Sequence, residues 1–150
     1  MIFRPLLVSL MLMAPAMAQD MKSELEKARV AYQDCVNKHD AACVASLYSK
    51  GGIQINQRGV FDDIKTLYEG NFKNGADHVV ITVKNITPYG NDAAIADGES
   101  VLTLKTDKGE NNVTLLWGDY LVREDGVMKI RQLVVVPKTE PQKEASVDKK

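Results

Sequence analysis

Few residues of this chain combine a reactive side chain with a setting that would sharpen it. Asp119 is one. It stands in the apolar run Leu115-Leu116-Trp117-Gly118-Asp119-Tyr120-Leu121, where strand alternation puts it on one face with Leu115, Trp117 and Leu121. A carboxylate on a covered face must be paired or protonated, and either state can serve a ligand; at a strand edge it would instead stay ionised in water. Trp117, two residues earlier, is a core residue or a pocket wall. Tyr32 lies in a helical stripe, either as a core tyrosine whose hydroxyl finds a local partner or as a donor to a pocket. Asn56 closes the short run Ile53-Gln54-Ile55-Asn56, where its amide bonds a ligand or caps a turn. Tyr32, Asn56, Trp117 and Asp119 form the candidate ligand-binding set. Spacing alone supplies no catalytic set.

Other chemistries find less support. His39 and His78 are the only histidines, and neither has a partner at a metal-ligand spacing such as i+4. Asp62-Asp63 reads as an acidic first turn favoured by the helix dipole, not as a metal site. No Ser-His-Asp arrangement, phosphate loop or dinucleotide fingerprint occurs. No metal and no cofactor are expected.

The two cysteines, Cys35 and Cys43, flank an expected helix-to-helix turn. A pair this close suits a disulfide in an oxidising compartment, with free buried thiols as the alternative; the C-x-x-C spacing of redox exchange is missing. The start of the chain argues for that compartment. Arg4 precedes a short apolar run, Leu6 to Met13, and Ala16-Met17-Ala18 is a small-x-small cleavage site. Residues 1–18 are thus expected to be a cleavable signal peptide, and the mature protein to be secreted or periplasmic. That run is far shorter than the ~20 apolar residues a membrane helix needs, so no integral membrane segment is expected after cleavage.

Removing Arg4 with the leader takes the net charge from −1 to −2. So balanced a chain gives no reason to expect nucleic acid, whose binding needs clustered Lys and Arg. Residues 137–150 hold two prolines, seven charged side chains and one Val. They bury too little apolar surface to offset their ordering entropy and read as a disordered tail. One domain, 19–136, remains.

That domain divides in two. Helix one is expected over about 20–38, with Met21, Leu25, Ala28, Tyr32, Cys35 and Val36 on one stripe. Asp40 would cap a second helix with Val44, Leu47 and Tyr48 facing in, stopped by Gly51-Gly52. Residues 53–56 alternate like a short strand. A third helix, about 60–73, would bury Val60, Ile64, Leu67 and Tyr68. Strands follow at about 78–84, 92–105, 113–123 and 127–136, with loops at Lys108-Gly109/Asn111-Asn112 and Glu124-Asp125-Gly126. Helices first and an antiparallel meander second is an α+β layout in which a sheet can curl around helices and enclose a cavity. Strands apolar on both faces imply helices over one face and a homodimer contact on the other.

Two patches carry a family resemblance. Ala31-Tyr32, Asn37-Lys38-His39-Asp40 and Leu47-Tyr48 resemble the opening helix pair of the nuclear-transport-factor-2-like superfamily, which includes ketosteroid isomerase and SnoaL-like proteins. Residues 120–130, Tyr-Leu-Val-Arg-Glu-Asp-Gly-Val-Met-Lys-Ile, resemble its final hairpin, with Met128 where the family often has Trp. The resemblance implies a cystatin-like, cone-shaped fold: three N-terminal helices packed on a curved, mainly antiparallel sheet, with a pocket in the open end.

Carried over residue by residue, it also tests an isomerase. Tyr32, eight residues before Asp40, resembles the family's oxyanion tyrosine, and Asp119 falls near its protonated acid. The general base would stand sixteen residues past Asp40, where this chain has Asn56, and an amide cannot accept a proton at useful pH. The expectation is a non-catalytic domain binding a small apolar molecule. The alternatives are an isomerase, cyclase or dehydratase with Asp119 as acid-base group, and a dimeric interaction module.

Overall fold

The computed structural model describes residues 14–139. Residues 1–13 and 140–150, which hold most of the predicted leader and of the predicted tail, lie outside the described residues.

Three helices precede most of the sheet: α1 (Ala14–Asn37), α2 (Ala41–Ser46) and α3 (Ile64–Lys73). The stripe Met21, Leu25, Tyr32, Cys35 and Val36 is buried, as the spacing requires for an amphipathic helix on a core. Asp40 caps α2, its carboxylate accepting from the Cys43 amide at 2.8 Å. Cys35 and Cys43 are disulfide-bonded with their Cα atoms 5.5 Å apart, which ties the last turn of α1 to α2. Among the described residues no helix is long and apolar enough to cross a membrane.

Six strands form one sheet in the order β2-β1-β6-β5-β4-β3. They are β1 (Tyr48–Asn56), β2 (Gly59–Phe61), β3 (Ala76–Tyr89), β4 (Ala93–Thr106), β5 (Gly109–Glu124) and β6 (Val127–Pro137). Only β1 and β6 run parallel; every other pairing is antiparallel. The register shifts at Val83/Asn85 in β3 and at Tyr120/Leu121 in β5, and such irregularities bend a sheet. Edge strand β3 is partly covered by α1. The Asn37 side chain exchanges two hydrogen bonds with the Val79 backbone, and Gln33 accepts from the Ile81 amide at 2.9 Å. These side chains stand where a further strand would otherwise pair.

Four local expectations are corrected. Helix two ends at Ser46, and Tyr48 opens a strand, because β1 gains a parallel partner (Tyr48 opposite Ile130) that local propensity could not anticipate. Gly51-Gly52 lies inside β1 as an irregularity. Gly51 takes φ +68°, and a Cβ on Gly52 would press on the Ile130 carbonyl. Helix three starts at Ile64 because Asp63 is its N-cap, accepting from the Thr66 amide at 3.0 Å; Val60 is left 65 % exposed on β2. Asn111 and Asn112 belong to β5, and the hairpin turns at Asp107-Lys108.

Candidate functional site

Between the helices and the sheet lies a cavity of about 340 Å³, within the roughly 300–1,000 Å³ range of small-molecule pockets. Its walls are apolar: Val36 from α1, Phe72 from α3, Val79 and Ile81 from β3, Leu102 from β4, Leu115 from β5 and Val135 from β6. Its exposed lining residues, Gln57, Arg58 and Asn74, are polar, and the half-buried amides Asn56 and Asn71 line it too. Its most buried polar and aromatic ones are Arg29, Tyr32, Gln54, Tyr68, Ser100 and Trp117, each no more than 7 % exposed.

Three of the four sequence candidates line this cavity and one stands behind it. Tyr32 is buried on the wall, its hydroxyl bonded to that of Tyr68. Trp117 is both a core residue and a wall, and its Nε1 has no hydrogen-bond partner. Asn56 lines the cavity half-buried while its Oδ1 accepts from the Arg58 amide at 2.8 Å, so it caps the β1–β2 turn. Asp119 does not line the cavity. It is 3 % exposed, and its carboxylate is ion-paired with Arg29.

Arg29 links the two groups. It lines the cavity, pairs with Asp119, and sets its guanidinium 4.6 Å from the centre of the Trp117 ring and 5.7 Å from that of Tyr32. Both are cation–π distances. Burial lowers the pKa of Arg29 below the ordinary guanidinium value. The sequence reading missed this residue, although the signal was present. Leu25, Arg29, Tyr32 and Val36 follow one another at spacings of four, three and four, so Arg29 sits on the buried stripe of α1.

Gln54 was missed too. In β1 the polar member of the alternation faces in: Gln54 is 4 % exposed, while Ile53 and Ile55 are half-buried on the other face. Its Oε1 accepts from Tyr48 at 2.9 Å and from Tyr68 at 3.1 Å. With the Tyr68 proton so committed, Tyr32 is the donor in the Tyr32–Tyr68 bond, and the chain runs Tyr32→Tyr68→Gln54←Tyr48. Burial raises the pKa of Tyr32 and pushes Tyr48 and Tyr68 well above the ordinary tyrosine value. All three therefore stay protonated donors at neutral pH.

Elsewhere the potential metal ligands are dispersed. Among the described residues no three His, Cys, Asp or Glu side chains gather to hold an ion. His39 bonds the Asp77 carbonyl at 2.8 Å and stacks on Phe72, and His78 is exposed.

No protein-family model matches the sequence, nor does any curated protein. Solved structures do match. A ketosteroid isomerase-like protein from Erwinia carotovora atroseptica superposes with a TM-score of 0.71 at 16% identity, over 79% of this chain and 96% of that one. An NTF-2-like protein of unknown function from Shewanella oneidensis MR-1 gives 0.65 at 17%, over 77% and 98%. The chain has the nuclear-transport-factor-2-like fold. A hexachlorocyclohexane dehydrochlorinase also shares it, with a TM-score of 0.67 at 13% identity over 83% of this chain and 89% of that one. Identities this low carry the fold and no activity, and the fold hosts both enzymes and proteins of unassigned task. Within that fold, the pocket of this chain is lined by Arg29, which is paired with Asp119 behind the wall, and by an amide, Asn56.

Proposed function

We propose that the protein is an exported, non-catalytic binder of a small, largely apolar molecule. The observation that carries this reading is the cavity itself, whose apolar walls converge on a few buried polar groups in the manner of a ligand pocket. A proton-transfer role has little support. Asp119 is tied to a guanidinium and lies off the cavity lining, and Asn56 has no basic function to offer. Export is supported by the leader-like N-terminus and by the Cys35–Cys43 disulfide, which suits an oxidising compartment.

The test is native mass spectrometry of protein purified from its own host, alongside Val79→Trp, which fills the cavity. A retained small molecule that Val79→Trp abolishes supports the reading. Turnover of a β,γ-unsaturated ketone that disappears in Asp119→Asn would instead establish an enzyme.

A second role is favoured by the face turned away from the helices. Val80, Ile95, Val101, Leu116, Tyr120 and Val136 are each 38–50 % exposed there. This patch fits the homodimer contact expected from the sequence, and sedimentation of wild type against Leu116→Lys tests it.

A further inference from the structure

One cation on the cavity lining has no counter-charge. Among the described residues no Asp or Glu lines the cavity, and its two arginines stand differently. Arg29 is buried and matched by Asp119 from behind the wall. Arg58 is exposed, and among the described residues no carboxylate oxygen comes within 4.0 Å of it. The cavity therefore carries one uncompensated positive charge, and carries it where its wall meets water.

That charge is held in place. Arg58 Nη2 donates to Asn71 Oδ1 at 2.8 Å, which joins the β1–β2 turn to the last turn of α3. Its guanidinium carbon lies 5.5 Å from the centre of the Phe61 ring, a cation–π distance. Asn56 Oδ1 accepts from the Arg58 backbone amide. Both carboxamide oxygens are thus turned to Arg58, and the two Nδ2 groups are left as N–H donors beside the free edges of the guanidinium. Carbonyls of that helical turn are bonded by the Asn74 and Gly75 amides. Inward of this opening lie the apolar walls, Phe72, Leu102, Leu115 and Val135 among them.

Resting on the reading of the cavity as a ligand pocket, we infer that its occupant is an anionic amphiphile, with its hydrocarbon inside the cavity and its acidic oxygen head group at the opening on Arg58. At that place the head group keeps water on one side and escapes the cost of burying a charge. The fork of an arginine matches two oxygens of a carboxylate or phosphate. Arg29 does not compete for the anion, because Asp119 already neutralises it and a second anion there would be buried against a carboxylate. A cationic head group would meet the like charge of Arg58, with no carboxylate on the lining to receive it.

The test uses three amphiphiles with the same decyl chain, decanoate, decan-1-ol and decyltrimethylammonium, each below its aggregation concentration. Trp117 lines the cavity and is the only tryptophan of the chain, so its fluorescence reports occupancy. Decanoate should bind about tenfold more tightly than decanol, as charge-assisted bonds at a half-solvated site allow, with the ammonium weakest. Arg58→Gln should bring decanoate down to the affinity of decanol and leave decanol as it was. Lys65→Gln removes the same charge from an exposed residue of α3 off the lining, and should leave the preference intact. Circular dichroism checks the fold of both variants. Decanol or the ammonium binding as tightly as decanoate overturns the head-group assignment and leaves the pocket reading standing. So does a decanoate preference that survives in folded Arg58→Gln, or one that Lys65→Gln abolishes equally. Failure of all three amphiphiles to bind overturns the pocket reading, and this inference with it.

Discussion

Arg29 on α1 and Asp119 on β5 form an ion pair in which the arginine side chain is 8 % exposed and the aspartate side chain not at all. The pair crosses the interface between helix and sheet ninety residues apart in sequence; Arg29 lines the cavity and Asp119 stands behind that wall. Attraction between two buried charges is largely offset by their lost hydration, whereas one left alone keeps the full penalty. Asp119→Ala should therefore cost about 3–5 kcal/mol of stability. Arg29→Met/Asp119→Leu, which removes both charges and restores packing, should unfold at or above the wild-type denaturant midpoint. Urea unfolding of the three proteins distinguishes a pair that stabilises from one that only avoids a penalty. Asp119→Ala as stable as wild type would rule out the buried pair.

The Cys35–Cys43 link closes a loop of eight residues between α1 and α2. On the chain-entropy argument a loop of this size stabilises by about 2–3 kcal/mol. Cys35→Ser/Cys43→Ser should lose about that much, and reductant should lower the wild-type midpoint to that of the variant without moving the variant itself. The cavity walls contributed by β3, β4 and β6 should be unaffected, so retention of a small molecule in the cavity survives at temperatures where the variant stays folded.

How much of this was legible beforehand follows from the two periodicities. Period two put Leu115, Trp117, Asp119 and Leu121 on one face of β5, and helical spacing put Tyr32 and Val36 inward; both patterns act within one element and need no partner. Tyr48 and Gly51-Gly52 were misread because parallel pairing with β6 extends β1 across them, and that partner lies some eighty residues away. Gln54 escaped because the two isoleucines beside it invite the opposite orientation. In the sheet those isoleucines lie opposite Gln132 and Val134 of β6, on the face away from the helices, which leaves Gln54 to meet Tyr48 and Tyr68. Arg29 escaped for a different reason: a lone charge on an apolar stripe has meaning only once its counter-charge is known. A polar side chain on a buried stripe is the pattern that would have found it.

Acid should weaken the molecule through carboxylates engaged on its surface. Glu99 accepts from Lys138 at 2.8 Å and from Lys84 at 2.5 Å, and these bonds, the Lys138 one first, hold its pKa at about 2. Glu24 is lowered as well, chiefly by its bidentate bond to Arg123 at 3.0 Å, while its Oε1 also accepts from the Met128 amide. Both pKa values lie below the ordinary 4.5 of the unfolded chain, so the unfolded state takes up protons first. The stabilisation is complete above about 4.5 and is lost as pH falls through the folded values, which for Glu99 is at about 2. Carboxyl NMR titration should show Glu99 among the last groups to protonate, and Lys138→Ala should raise its pKa. Glu99 titrating near 4.5 would mean that neither lysine holds it in solution. Salt should narrow the difference, because the group is accessible to water.

Gly98 on β4 stands opposite Trp117 on β5, and the close approach there sets the position of the indole at the cavity wall. A Cβ on this glycine would lie 2.7 Å from Trp117 Cζ2 and would press still harder on the Thr82 carbonyl of β3. The obstruction on one side is backbone held in the β3–β4 ladder, so the neighbours cannot both retreat. Gly98→Ala should then destabilise by about 1–3 kcal/mol, as overpacking does, and should displace the indole into the cavity. The displacement has its own signature. Trp117 emission should change in the folded state, and retention of a small molecule in the cavity should weaken, while Gly70→Ala, on α3 with open space around it and no positive φ, leaves the emission as it was. A folded Gly98→Ala protein with wild-type emission and wild-type affinity would show that the indole is not braced against this strand, and that the cavity wall is set by the helices instead.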